Sequence, residues 1–191
     1  MERFELLAII TFDEVIVGMA HFFDVNSFNV IPILVFGIVI TMFGAYVIQI
    51  HYLMEHHREE RSLRLMFSHY FIVISINLIT VAFELIHSGE INYWVVSAVV
   101  IISLIMFYTS IMANSKYYKE NVKKSKKELI EMSIITALGS AIILMFIDSF
   151  YGFLIGTLVI TSGNFIVLMN KYRKLFSYGK EVTERNGIVV E

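Results

Sequence analysis

The sequence contains no cysteine and a single proline. Without cysteine there are no disulfides, thiolate metal sites, iron–sulfur clusters or cysteine nucleophiles. With one proline, collagen-like and proline-rich architectures fall away. Charge is scarce as well: charged residues make up 17% of the 191 residues, against ~25% in an average soluble domain. The glycines are scattered through apolar runs, so no glycine-rich loop can be built from them. No nucleophile elbow, phosphate loop or nucleotide fingerprint is present. No acid, base and nucleophile cluster at one membrane depth, so neither an enzyme nor a cofactor is expected. Apolar residues, by contrast, reach 57%, above the ~45–50% of soluble domains. Mean hydropathy is +0.71. One core of this size cannot hide that much apolar surface, so the solvent of this chain is lipid.

A helix needs ~20 mostly apolar residues to cross a bilayer. Six stretches qualify: Phe4–Phe22, Ile31–Leu53, Leu65–His87, Asn92–Ala113, Leu129–Ile147 and Tyr151–Asn170. Backbone groups in lipid must be satisfied internally, so each reads as a helix and the fold class is an all-α transmembrane bundle. The first stretch carries Asp13 and Glu14 at its centre, and the fifth is short and opens on Glu128 and Glu131. Residues 1–176 form the membrane domain, and the polar segment 177–191 is expected to fray as a short cytoplasmic tail. The adjacent acids in the first stretch argue against a cleaved secretory signal.

Lys and Arg placement sets the orientation. The first, third and fifth joints between spans hold no basic residue. The second holds Arg58, Arg61 and Arg64, and the fourth holds Lys116, Lys119, Lys123, Lys124, Lys126 and Lys127. With Arg3 and the C-terminal Lys171, Arg173, Lys174, Lys180 and Arg185, all 15 basic residues fall on one side if there are six spans. Five or seven spans would break that segregation. Both termini are therefore expected in the cytoplasm, in a multi-pass protein of the cell membrane. The lysine-rich joint Lys116–Lys127 reads as a solvated linker whose charges can hold anionic lipid headgroups, at ~1 kcal/mol per basic residue. With no reading module around it, a nucleic-acid partner is not expected.

Small residues mark where membrane helices touch. Gly152, Gly156 and Gly163 share one stripe of the last span, the first two at GxxxG spacing. Gly37, Thr41 and Gly44 share a stripe of the second, and Ser133, Ala137 and Ser140 one of the fifth. These read as packing faces; a kink or gate at one of them is the alternative. Pro32 sits where a helix start tolerates its missing N–H.

Polar stripes point to chemistry. Leu7, Thr11, Glu14, Gly18 and His21 lie on one face of the first span, with Asp13 turned ~100° from Glu14. An acid at a helix centre costs ~2.5–3.5 kcal/mol on insertion scales, so this span is near break-even alone and needs partners or a wet cavity. Glu14 is thus a candidate proton or cation site, with Asp13 tuning it by like-charge proximity. The alternative is a protonated or hydrogen-bonded packing residue. In the third span His69, Val73, Ile76, Thr80, Glu84 and His87 recur near the helical period. His69 and Glu84 are ~22 Å apart along the axis, two ends of one seam rather than one site. Interfacial anchoring is the structural alternative for Glu84 and His87. His51, His56 and His57 match no metal-ligand spacing and read as a solvated helix end among Glu55, Glu59 and Glu60, so no metal is expected.

Two segments resemble a known family. MERFELLAIITFDEVIVGMA is similar to the ERFGLFxIIxLGExVV segment of the low-temperature requirement A (LtrA) family of bacterial membrane proteins, matching at Glu2, Arg3, Phe4, Leu6, Ile9, Ile10, Glu14 and Val17. Phe67 through Glu84 resembles the family's YxHLPxxxGIxLxAVGxE helix, with His69, Ile76, Leu78, Val81 and Glu84 in register. Asp13 stands where the family has glycine, Phe71 where it has proline, and Ser75 where it has glycine. Ile50–His51–Tyr52–Leu53 replaces a tryptophan-rich end. The resemblance implies a divergent polytopic membrane protein linked to growth in the cold, corresponding to the C-terminal half of a family chain. It supplies no biochemical activity, and it marks Arg3, Glu14, His69 and Glu84 only as matching motif positions. A lone half suggests a homodimer or a partner membrane subunit.

The leading functional expectation is transport of a small solute or ion, with Glu14 and Asp13 at mid-membrane and Arg3, His69 and Glu84 along the path. The alternatives are a non-catalytic membrane component, acting as sensor or assembly partner, and an oligomeric six-span cation channel.

Overall fold

The computed structural model describes residues 2–18, 30–54, 63–88, 92–118 and 126–185. They form six α-helices: α1 (Glu2–Gly18), α2 (Ile31–Val47), α3 (Leu63–Ser88), α4 (Tyr93–Ala113), α5 (Lys126–Met145) and α6 (Phe150–Arg185). Five of them, α2 to α6, are long and apolar enough to cross a membrane. The short α5 anticipated from sequence is among them, because its helix begins at Lys126 rather than at Leu129. The described part of α1 has 17 residues, ~26 Å of helix.

Local chemistry sets the helix ends. Pro32 sits in the first turn of α2, where its fixed φ suits a helix start. Asn92 caps α4, its Oδ1 accepting from the Trp94 N–H at 2.9 Å. Ser149 closes the turn between α5 and α6, its N–H donating to the Phe146 carbonyl at 2.9 Å. Beyond Val47, α2 widens into a π-helical segment, Ile48–Leu53, and ends when Met54 turns extended. A 3-10 turn, Asn114–Tyr117, prolongs α4, and Met54 forms a bridge with Tyr118 that ties these two ends together. The tail expected to fray after Phe176 is instead helical as far as Arg185. A helix of 36 residues is ~54 Å long, so α6 outreaches the ~30 Å hydrocarbon layer.

Two trios of helices make the bundle. α3 packs between α1 and α4, and α6 packs between α2 and α5. The trios meet through rings: Phe83 on Phe153, edge to face at 5.8 Å, and Tyr46 on His69 at 6.1 Å. Glycines bring the second trio close. A Cβ on Gly44 would sit 2.6 Å from the Phe165 ring, and one on Gly163 2.6 Å from Ile135. A Cβ on Gly139 would lie 2.9 Å from the Gly156 carbonyl, and one on Gly156 3.0 Å from the Gly139 carbonyl. Thus α6 offers Leu158 and Phe165 to Gly37 and Gly44 of α2, and Gly156 and Gly163 to α5. Gly152 lies against Phe146 at the turn. On α5 the contact to α6 is Gly139, not the Ser133–Ala137–Ser140 stripe. Ser133 and Ala137 stay exposed and turn toward α4.

Candidate functional site

A hydroxyl that bonds back to its own helix records only local satisfaction. Many hydroxyls here do so: Thr11 donates to the Leu7 carbonyl at 2.9 Å, Thr80 to Ile76 at 3.0 Å and Thr157 to Phe153 at 2.9 Å. Side-chain bonds that cross between helices stand apart. Gln49 Nε2 donates to the Ile111 carbonyl at 2.8 Å, Tyr108 to the Thr161 carbonyl at 3.3 Å, and Asn164 Nδ2 to Thr136 Oγ1 at 3.2 Å. Lys171 Nζ donates to Glu128 Oε2.

These bonds concentrate toward the end of the bundle that carries Met54, Tyr118 and Lys171, here called the basic end. Gln49 lies in the π segment of α2, buried, with its Oε1 lacking a hydrogen-bond partner. Asn114, also fully buried, leaves both amide atoms without a partner. Lys171 Nζ sits 5.2 Å from the centroid of the Tyr118 ring, a cation–π contact beside its ion pair with Glu128. Burial, and then the negative charge of Glu128, pushes the Tyr118 phenol well above the ordinary tyrosine range. Ion pairs and amides at this depth are costly unless matched, so the cluster is a polar junction holding α2, α4, α5 and α6.

The acids of α1 lie elsewhere. Ala8, Thr11, Phe12 and Val15 are its buried face, with the Phe12 ring 5.3 Å from Phe43 and 5.9 Å from Tyr46. Asp13 and Glu14 are exposed, on the outer side with Leu6, Ile9, Ile10 and Val17. Phe12 fills the groove between α2 and α3, and one residue further on the helix has turned ~100° away from it. Among the described residues, Asp13 and Glu14 therefore face away from the packed side of α1.

His69 goes the other way. It is 2% exposed, its Nδ1 2.8 Å from the Leu65 carbonyl and its ring edge-on to Tyr46. A carbonyl only accepts, so this bond requires the proton on Nδ1. The Tyr46 hydroxyl reaches the Glu5 carbonyl at 3.5 Å, a bond at the weak limit of length. Glu84 is exposed, as is Asn77, which bonds back to the Val73 carbonyl at 3.0 Å. His69 and Glu84 thus do not line one seam. Fifteen residues at ~100° each leave them ~60° apart around the axis, enough to put one inside and one outside. Arg3 lies in α1, and its side chain, like those of His87 and Lys116, falls outside the described residues, as do His21, His56, His57, Lys119, Lys123 and Lys124 entirely. Among the described residues no group of three His, Asp or Glu side chains could hold a metal ion.

Residues 1–163 match the family of the bacterial low temperature requirement A protein (LtrA). The chain belongs to the LtrA family. No curated protein and no solved structure matches it. With its apolar helices this makes it a multi-pass membrane protein.

In this LtrA chain, the polar junction had only faint sequence signals. Gln49 is a lone amide in an apolar run, and Lys171 directly follows the last span. Glu128 is one of two acids at the head of the fifth span. Their partnership depends on residues far apart in sequence, which no local spacing reveals.

Proposed function

We propose that this LtrA protein moves a proton or small cation across the cytoplasmic membrane, with its basic end on the cytoplasmic side, and that Glu14 and Asp13 carry the ion. The supporting observation is their position: two adjacent acids on the exposed, otherwise apolar face of α1. Facing lipid, each would cost ~2.5–3.5 kcal/mol. The cost disappears if the α1 faces of two or more copies meet around a hydrated path. The acids then stand at mid-membrane, where they can bind and release a cation. No catalysis is invoked. The second reading, a non-catalytic subunit that pairs these acids with a basic residue of another membrane protein, starts from the same exposed face.

Two measurements test the proposal. Proteoliposomes carrying a pH-sensitive or cation-sensitive dye should show flux that Glu14→Gln lowers by an order of magnitude or more, about 10-fold being 1.4 kcal/mol of lost ion stabilisation. Unchanged flux in that variant refutes the assignment. The chain has no native cysteine, so Val17→Cys, 69% exposed beside the acids, should give a disulfide-linked dimer in oxidised membranes. A dimer-free Val17→Cys protein that crosslinks only to a different subunit favours the second reading.

A further inference from the structure

The helices α4 and α5 are sequence neighbours that do not pack closely: α4 leans on α3, and α5 on α6. Between them runs a cleft of about 540 Å³. Ile105, Thr109 and Met112 of α4 face Leu129, Ser133 and Ala137 of α5 across it. Deeper along the α5 wall Ser133, Thr136, Ala137 and Ser140 are small, while the close contact of α5 is made with α6 at Gly139. The hydroxyls of the cleft do not make it a polar pocket. Thr109 donates to Ile105, Ser133 to Leu129 and Thr136 to Met132, each within its own helix. Apart from Ser140, whose hydroxyl has no partner, the walls present hydrocarbon and spent donors. That suits a hydrocarbon chain better than a polar solute, which would need free donors and acceptors.

The cleft also has a charged mouth. At the basic end α5 opens with Lys126, one turn before the cleft-lining Leu129, and Lys127. Lys126 is exposed, and Lys127 lies 3.9 Å from Glu131 with its side chain 83% exposed. Glu128, the nearest acid at the start of α5, is already engaged by Lys171. An apolar cleft of acyl-chain dimensions with the exposed Lys126 at one mouth matches an amphiphile with an anionic head and a hydrocarbon tail.

We propose that the α4–α5 cleft is a binding site for one anionic phospholipid, its acyl chain along Thr109 and Ala137 and its headgroup on Lys126, one turn before the cleft-lining Leu129. This site is separate from the exposed face of α1 and does not depend on ion transport.

The test uses the full chain in detergent, delipidated and titrated with phosphatidylglycerol or with phosphatidylcholine, with bound lipid counted by native mass spectrometry. The expected result is one phosphatidylglycerol retained per chain at concentrations where phosphatidylcholine is lost. Lys126→Gln should weaken phosphatidylglycerol by about 5-fold, from the loss of one lysine near a headgroup. Ala137→Leu, which fills the cleft, should weaken it about 10-fold, and so should Thr109→Leu from the opposite wall. Leu138→Phe, on the exposed outer side of α5, should change nothing. Circular dichroism confirms that each variant keeps its helices, and having two walls to fill keeps the test decisive if one variant misfolds. Equal retention in both cleft-filling variants overturns the proposal. So does equal binding of the two lipids, or a cleft-filling variant that changes the oligomer mass instead of the lipid count, which would place a second copy's helix there.

Discussion

Gly156→Ala isolates what holds this bundle together. In lipid there is no hydrophobic drive between helices, so association rests on close van der Waals approach. At Gly156 a Cβ would meet the Gly139 carbonyl at 3.0 Å, the Ile143 N at 3.0 Å and the Ile143 Cγ1 at 2.6 Å. Two of those obstacles are backbone and cannot swing aside, so α5 and α6 must separate. Alanine gains ~1 kcal/mol of helix propensity over glycine, but overpacking against a rigid neighbour costs ~1–3 kcal/mol. With backbone in the way the upper part of that range applies, and the net loss is ~1–2 kcal/mol. For a chain of this size that is about 2–8 °C of melting temperature. Gly18→Ala is the matched control, because nothing lies within 4 Å of a Cβ there, so only the propensity gain should appear. Thermal unfolding of both variants in one detergent, followed by helical circular dichroism, measures the contrast. If Gly156→Ala melts with or above Gly18→Ala, the close α5–α6 approach is not what stabilises the fold.

Other expectations follow from the polar contacts. Lys171→Met leaves Glu128 without its partner and should destabilise by about 1–3 kcal/mol, less than a fully buried pair because the Glu128 side chain is 24% exposed. Adding Glu128→Leu should recover most of that loss, and a double-mutant cycle showing no coupling would contradict the ion pair. Tyr118→Phe should be neutral or slightly stabilising at pH 7, since its buried hydroxyl has no partner. The folded phenol titrates above its ordinary value, so its contribution is full below pH ~10 and is lost as pH rises beyond. Melting against pH should show wild type falling faster than Tyr118→Phe above pH ~10, and parallel curves would count against the burial. Tyr46→Phe should cost under about 0.5 kcal/mol, because only a bond at the limit of length is lost. Tyr46→Ala should cost about 3–5 kcal/mol by emptying the space between Phe12 and His69, and chemical unfolding of the pair separates ring from hydroxyl.

Composition and hydropathy alone determined that this is a helical membrane protein, and the glycine stripes of α2 and α6 lie where an added Cβ would meet a neighbour. Both signals survive without tertiary knowledge because lipid demands long apolar helices and close approach demands missing side chains. Which way α1 faces was not legible. A lipid-exposed face and a buried face are equally apolar, so Leu6 and Ile9 outside look like Ala8 and Val15 inside. Only the fit of Phe12 against Phe43 and Tyr46 decides it, and that fit sends Asp13 and Glu14 outward. The same holds for His69 and Glu84, where a drift of ~60° over fifteen residues separates inside from outside. The Lys171–Glu128 pair and the α4–α5 cleft depend on which distant helices meet. Hydropathy carries no partner information in a solvent that resembles the protein interior, so those features were decided by tertiary packing alone.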